Sequence, residues 1–257
     1  MWMINRLIPA LALLIGCSAP DTTGIKLIGH GGLGTASTYP MNSRVALTTA
    51  LEEGLQGIEL DVQLTADSVL VAHHDPEVSG AGCLGRIHDH SWEELNTCAT
   101  TVKLAGSFLG VRVDVLLNEL HRDFPNAEFT LDVKLNTTGD WWQYLHTMAR
   151  AIARLEAQHG LRGHLIVECQ TTDFLRTMAE SAPGIPYFLY TTDTATAITV
   201  AKELECVGIT MQADRCDARL AAEIQAAGLQ LTLFGVGDRW ALRKAVGLRP
   251  ERIQVDQ

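Results

Sequence analysis

Eight short apolar runs recur along the chain, at about 26–30 (KLIGH), 57–62 (GIELDV), 128–133 (EFTLDV), 164–168 (HLIVE), 186–190 (PYFLY), 207–211 (VGITM), 230–235 (QLTLFG) and 252–256 (RIQVD). Most are separated by stretches with helical periodicity, such as Ala151, Ile152 and Leu155 or the Ala-rich segment 220–227. Runs of this length flanked by helical patterns read as strands alternating with helices. Eight such units in about 240 residues is the arithmetic of a single (β/α)₈ TIM barrel. A doubly wound open sheet is the alternative, because periodicity does not show closure. A ninth run, 69–74 (VLVAHH), follows the second strand after only Ala66-Asp67-Ser68. So short a connection predicts an antiparallel β-hairpin inserted after the second barrel strand. With the turn centred on Ala66 and Asp67, Glu59 faces His74 and Asp61 faces Ala72, and His73 points away.

Composition narrows the partners. Of 257 residues, 47% are hydrophobic, which supports a large core, and the formal net charge is −10. Intrinsic disorder is excluded by that hydrophobic content. Nucleic acid is excluded as a partner because phosphate backbones are bound through clustered Lys and Arg. A protein this acidic that handles phosphate needs a local cation.

The N-terminus reads as an export signal. One positive charge in residues 1–6 precedes a nine-residue apolar run, 7–15, too short to span a bilayer. The run ends in Leu14-Ile15-Gly16-Cys17, which resembles the bacterial lipobox. That predicts a signal peptide over 1–16, lipidation of Cys17, a tether over 17–25 and a barrel over 26–257. The protein is then lipid-anchored in the bacterial cell envelope facing the periplasm, with Ser18 pointing to the outer membrane. An oxidising compartment permits disulfides. Cys83 with Cys98 is the expected pair, and Cys206 with Cys216 a second candidate, while Cys169 lies in an apolar strand as a buried thiol.

Chemistry-bearing residues gather at strand ends, where a barrel forms its active site. Glu59 and Asp61 share one face of a strand, and Asp132 near the end of the third barrel strand offers another carboxylate. Three carboxylates without Cys suit one hard divalent cation, Ca²⁺ or Mg²⁺. His30 closes the first strand before Gly31-Gly32, and two histidines beside such an ion could act as base and acid at phosphorus.

The segments Leu27-Ile28-Gly29-His30-Gly31-Gly32, Tyr39-Pro40-Met41-Asn42-Ser43, 57–65 (GIELDVQLT) and Val71-Ala72-His73-His74-Asp75-Pro76 resemble, in order and spacing, the glycerophosphodiester phosphodiesterase family. The resemblance continues more weakly through Leu131-Asp132-Val133-Lys134, Phe234-Gly235-Val236 and Val255-Asp256. It implies a TIM barrel that hydrolyses glycerophosphodiesters to sn-glycerol 3-phosphate and an alcohol with one divalent cation. By position it implies Glu59, Asp61 and Asp132 as metal ligands, His30 and His74 as the acid/base pair, Lys134 as a phosphate contact and Phe234 as a pocket wall.

Three positions depart from the pattern. Gly31 stands where the family usually has Arg, Met41 where it has Glu, and Asp132 where it has Glu. The last is similar to sphingomyelinase D-type enzymes. Two alternatives follow: a phospholipase D-type enzyme acting on intact lipid, and a non-catalytic phosphodiester-binding lipoprotein. Arg86 or Arg112 is the candidate to replace the missing cation. His88-Asp89-His90 reads as a solvated loop rather than a second metal site. Trp141-Trp142 follow Asp140, an expected helix N-cap, with core packing as the default. Glu168 and Gln212 also end strands and are candidates for polar contacts to glycerol, without an assigned role.

Overall fold

The computed structural model describes residues 20–80, 83–99 and 108–256. Cys17 and the expected signal peptide lie outside them. Eight parallel strands close into a barrel: β1 (Lys26–Gly29), β2 (Gly57–Leu64), β6 (Glu128–Val133), β7 (Leu165–Cys169), β8 (Tyr187–Tyr190), β9 (Gly208–Gln212), β10 (Gln230–Val236) and β11 (Arg252–Val255). Closure comes from β1, which pairs with both β11 and β2. The open-sheet alternative is thereby set aside.

Helices α1 (Arg44–Glu52), α3 (Val113–Asp123), α4 (Trp141–His159), α5 (Thr172–Ser181), α6 (Ala197–Glu203), α7 (Ala218–Ala226) and α8 (Arg239–Gly247) surround the barrel. Several start on side-chain caps: Ser43, Asp140, Asp217 and Asp238 each accept from a backbone N–H of the first turn. Such caps satisfy donors that the helix itself leaves open.

Along each strand the side chains alternate between two environments. Ile58, Leu60, Val62, Phe129, Leu131, Leu231 and Leu233 join the main apolar core with the helices. The intervening residues Glu59, Asp61, Thr130, Asp132, Glu168, Thr210, Thr232 and Gln254 are buried polar groups, and they fill the lumen. Phe188 is a large apolar side chain among them. It fits because its neighbour across the register is Gly208, where a Cβ would stand 2.4 Å from the Phe188 ring.

The hairpin after β2 is present: β3 (Leu70–Ala72) runs antiparallel to β2. Its register differs from expectation by one residue. Val62 pairs with Ala72 and Leu64 with Leu70, so opposed positions sum to 134 rather than 133. The reason lies in the turn. Thr65 N–H bonds to Val69 O, and the Thr65 hydroxyl accepts from Val69 N–H, so the loop includes Ser68 at φ 63°. A further hairpin, β4 (Glu77–Gly80) with β5 (Cys83–Arg86), and α2 (Trp92–Thr97) complete the insertion. They close over a satellite core of Val71, Val78, Ile87, Leu95 and Phe108.

Cys83 and Cys98 are joined by a disulfide in that satellite, with Cα atoms 6.0 Å apart. Cys206 and Cys216 are free and buried, as is Cys169. The second pairing fails because β9 lies between the two residues. Five strand residues at roughly 3.3 Å each hold them at opposite ends of the barrel, beyond the reach of a disulfide. No helix among the described residues is long and apolar enough to cross a membrane.

Candidate active site

The C-terminal ends of the strands open onto a cleft of about 160 Å³, lined by His30, Asp61, His74, Asp132, Lys134, Glu168, Tyr190, Thr210, Phe234 and Gln254. Of the residues expected from sequence, His30, Asp61, His74, Asp132, Lys134 and Phe234 border this cleft. Glu59 lies beside it, 1% exposed.

His30 follows the last residue of β1. Its Nδ1 bonds to Asp256 Oδ1 at 2.8 Å, just past β11, and its Nε2 lies 4.0 Å from Glu59 Oε2. Burial by itself would lower the imidazole pKa. The bond to Asp256 and the charge of Glu59 outweigh it and raise the pKa to about 9. Asp256 therefore fixes both the ring's orientation and which nitrogen faces the cleft. Gly34, at φ 74°, lets the loop pass this pair: a Cβ there would lie 2.1 Å from the Asp256 backbone.

Glu59 and Asp61 sit on alternate positions of β2, and Asp132 is the register partner of Asp61 on β6. Asn42, buried at φ 63°, donates from Nδ2 to Asp61 Oδ2 at 2.7 Å and accepts from Asp61 N–H at 2.9 Å. Asparagine is among the few residues that tolerate that backbone conformation. Lys134 reaches back to Asp61 Oδ1 at 3.1 Å and Asp132 Oδ2 at 2.6 Å. Its ammonium is buried, which disfavours charge, yet the two carboxylates push its pKa up. Burial, then the Asp61 charge, pushes the Glu59 carboxyl well above the usual range.

His74 reaches the cleft by a route other than the one expected. In the observed register His73, not His74, comes next across from Asp61, and its N–H bonds to Asp61 O at 3.0 Å. The strand stops at Ala72, however, and the chain turns away. The His73 ring drops into the satellite core against Phe108, 6.2 Å between centroids. His74 then projects at the cleft rim, with Nδ1 2.9 Å from Asp75 Oδ1.

Phe234 stands on β10 beside a break in register between Leu233 and Val236, where Gly235 takes φ 74°. Bulges of this kind re-aim side chains at strand ends. Phe234 packs edge-on to Tyr190 at 5.3 Å and lies 6.3 Å from the His30 ring. These aromatic residues form the apolar wall of the cleft.

Several other expectations resolve elsewhere. Arg112 pairs with Asp114 at 2.6 Å and lies over the Trp92 ring at 5.6 Å, and neither it nor Arg86 lines the cleft. Trp141 packs beside Tyr144, while Trp142 is exposed, and neither lines the cleft. His88, Asp89 and His90 are each occupied separately, by Leu64 O, Arg86 N and Leu84 O. They do not converge on a common point.

Asp256, Asn42, Tyr190, Thr210 and Gln254 were not assigned roles from sequence, and Glu168 only a polar position. A signal was present for some. Runs such as ITMQ, QLTL and RIQVD carry a polar residue at every second position, the pattern of strands whose inner face meets a polar lumen.

An Asp-held histidine facing four buried carboxylates and a lysine lies at the mouth of a closed (β/α)₈ barrel, the face on which such barrels carry their active sites. The sequence profile of the glycerophosphoryl diester phosphodiesterase family matches residues 33–256. The chain belongs to that family. It is similar to a glycerophosphodiester phosphodiesterase of Caldanaerobacter subterraneus, 31% identical over 112 residues, 43% of this chain and 45% of the relative. A glycerophosphodiester phosphodiesterase of Bacillus altitudinis is 29% identical over 114 residues, 44% of this chain and 46% of that one. The chain thus matches less than half the length of each. Among solved structures, an Oleispira antarctica phosphodiesterase in complex with the product sn-glycerol-3-phosphate superposes with TM-score 0.75 at 18% identity, over 90% of this chain and 92% of that one. A glycerophosphodiester phosphodiesterase from Parabacteroides distasonis gives TM-score 0.75 at 19% identity, over 91% and 93%. At such identities these two establish the fold.

Proposed function

We propose that the protein hydrolyses glycerophosphodiesters to sn-glycerol 3-phosphate and an alcohol, with one divalent cation, Ca²⁺ or Mg²⁺, at the barrel mouth. The observation that carries this reading is the convergence of His30, held by Asp256, with Glu59, Asp61, Asp132 and Lys134 on one cleft. Family membership and the product named in the Oleispira structure support the substrate class.

The residues present fit a hard cation. Glu59 Oε1 is buried with no hydrogen-bond partner, an arrangement that is costly for an anionic oxygen unless a positive ligand meets it. The surrounding donors are carboxylates, the ligands that Ca²⁺ and Mg²⁺ prefer. Glu59, Asp61 and Asp132 would hold the ion. When bound, it supplies polarisation of the phosphoryl oxygens and offsets charge in the transition state.

The chain's own groups do the rest. His30 and His74 face the cleft from just past β1 and just past β3. One activates the attacking oxygen, and the other protonates the departing alkoxide. Lys134 supplies the positive charge that Gly31 does not, and Phe234 with Tyr190 bounds the space for the organic portion. Lipidation at Cys17 would tether the enzyme in the cell envelope, facing the periplasm.

The test is release of glycerol 3-phosphate from glycerophosphocholine by the purified full chain in detergent, with and without chelator. Release that stops in chelator and returns with added cation supports the reading. Faster turnover of intact phospholipid or sphingomyelin would favour the lipid-directed alternative suggested by Asp132 and Gly31. Binding of the diester without turnover would favour a silent binding protein.

A further inference from the structure

The cation seat implied by the family resemblance consists of Glu59, Asp61 and Asp132. The structure draws a different trio together: one carboxylate oxygen each from Glu59, Asp132 and Glu168 lie within 4.8 Å of one another. The register explains the meeting. Asp132 on β6 pairs with Asp61 on β2 and with Glu168 on β7. Asp61, Asp132 and Glu168 are therefore neighbours across three adjacent strands, on the face that points into the lumen.

Within this group the four carboxylates are not equivalent. Both oxygens of Asp61 are engaged, Oδ2 by Asn42 and Oδ1 by Lys134. Glu59 accepts from Gly31 N–H on Oε2 at 2.8 Å, and its Oε1 has no partner although the side chain is 1% exposed. That oxygen independently marks the place where a positive ligand belongs. Glu168 accepts from Gln254 Nε2 at 2.9 Å and from the Thr210 hydroxyl at 2.7 Å. Each of its oxygens keeps a lone pair. Neutral donors of this kind orient a carboxylate without cancelling its charge, as the outer partners of metal ligands do.

We infer that Glu168 is a ligand of the same cation, the member contributed by β7 to a seat shared with Glu59 and Asp132. Thr210 and Gln254 are its positioning residues. The inference rests on the metal-dependent reading above and extends it to a residue that neither composition nor the family resemblance assigns.

The test is cation binding itself. The full chain in detergent, stripped of metal, is titrated calorimetrically with Ca²⁺ and with Mg²⁺, alongside Glu168→Gln and Glu168→Asp, and each sample's Tm is recorded with and without ion. Glu168→Gln is expected to weaken cation affinity about tenfold or more and to shrink the ion-induced rise in Tm, while the metal-free protein still unfolds cooperatively. Affinity within twofold of the unaltered chain overturns the role of Glu168. If Glu168→Gln does not fold, Glu168→Asp decides: its withdrawn carboxylate should weaken binding by a similar factor, and unchanged affinity overturns the inference. Failure of the unaltered chain to bind either ion overturns the inference together with the metal-dependent reading. An unaltered chain that binds, beside variants that bind equally well, removes Glu168 alone.

Discussion

At the N-terminal end of the barrel, Glu128 meets Lys26 at 2.7 Å and the Arg252 guanidinium, which also donates to Gln230 at 2.6 Å. At the mouth, Glu59, Asp61, Asp132 and Glu168 meet Lys134 and His30. Phe188 lies in the lumen with Arg252 5.3 Å from its ring centroid. The two ends bury charge with opposite results. Burial opposes ionisation of Glu128, but Arg252 and Lys26 overcome it and hold the carboxyl below the usual glutamate range. Burial and the Asp132 charge raise Glu168 to about 7 despite its bonds to Gln254 and Thr210. The N-terminal cluster sets two cations against one buried carboxylate, whereas the cluster at the mouth is acid-rich, and that difference separates a structural group of charges from a candidate site.

The contrast can be broken from either end. The largest effect is expected from His30→Ala, which should lower kcat by about 10²–10⁴-fold, as steady-state kinetics on the folded protein would show. Arg252→Met should act on stability and spare the chemistry. It leaves Glu128 buried with a weaker partner set, a loss of roughly 3–5 kcal/mol in chemical denaturation, and the folded fraction should keep its kcat. Adding Glu128→Leu to that variant should recover much of the loss, since an apolar replacement removes the stranded charge.

A third comparison uses the cation. At about one hundred times its Kd, a divalent ion should stabilise the protein by roughly 2.7 kcal/mol. That increment should survive Glu128→Gln and vanish in Glu59→Gln. The smallest effect is expected from acid. Glu128 has a folded pKa below its unfolded value, so its contribution is present above the ordinary glutamate pKa of roughly 4.3 and is lost as pH falls through the folded value. The Tm of the unaltered chain should therefore fall more steeply below about pH 5 than that of Glu128→Gln, and equal slopes would contradict the role given to Arg252.

Much of the fold was legible because each barrel strand is a compact apolar run between helices, and the eight runs coincide with the eight strands to within a residue or two. The mouth was legible in part. Glu59, Asp61 and Asp132 stand out as acids inside apolar sequence, and His30 closes a strand. Asp256 lies 226 residues from the histidine it holds, and nothing local links the two. Glu168 resembles an ordinary acid at a strand end until the pairing of β6 with β7 sets it beside Asp132. The histidine choice shows the limit of strand arithmetic: the register was one residue off, yet His74 still reaches the cleft because the strand ends before the alternation can apply to it.

The sequence by itself determined the strands, the hairpin after β2 and the acids on β2. These depend on periods of two and 3.6 and on charge, all of which are local. Tertiary structure alone decided which acids share a seat, which groups hold Asp61 and His30, which cysteines meet and which arginines stay away from the cleft. Those outcomes depend on barrel closure and strand stagger, which bring together residues far apart in the chain.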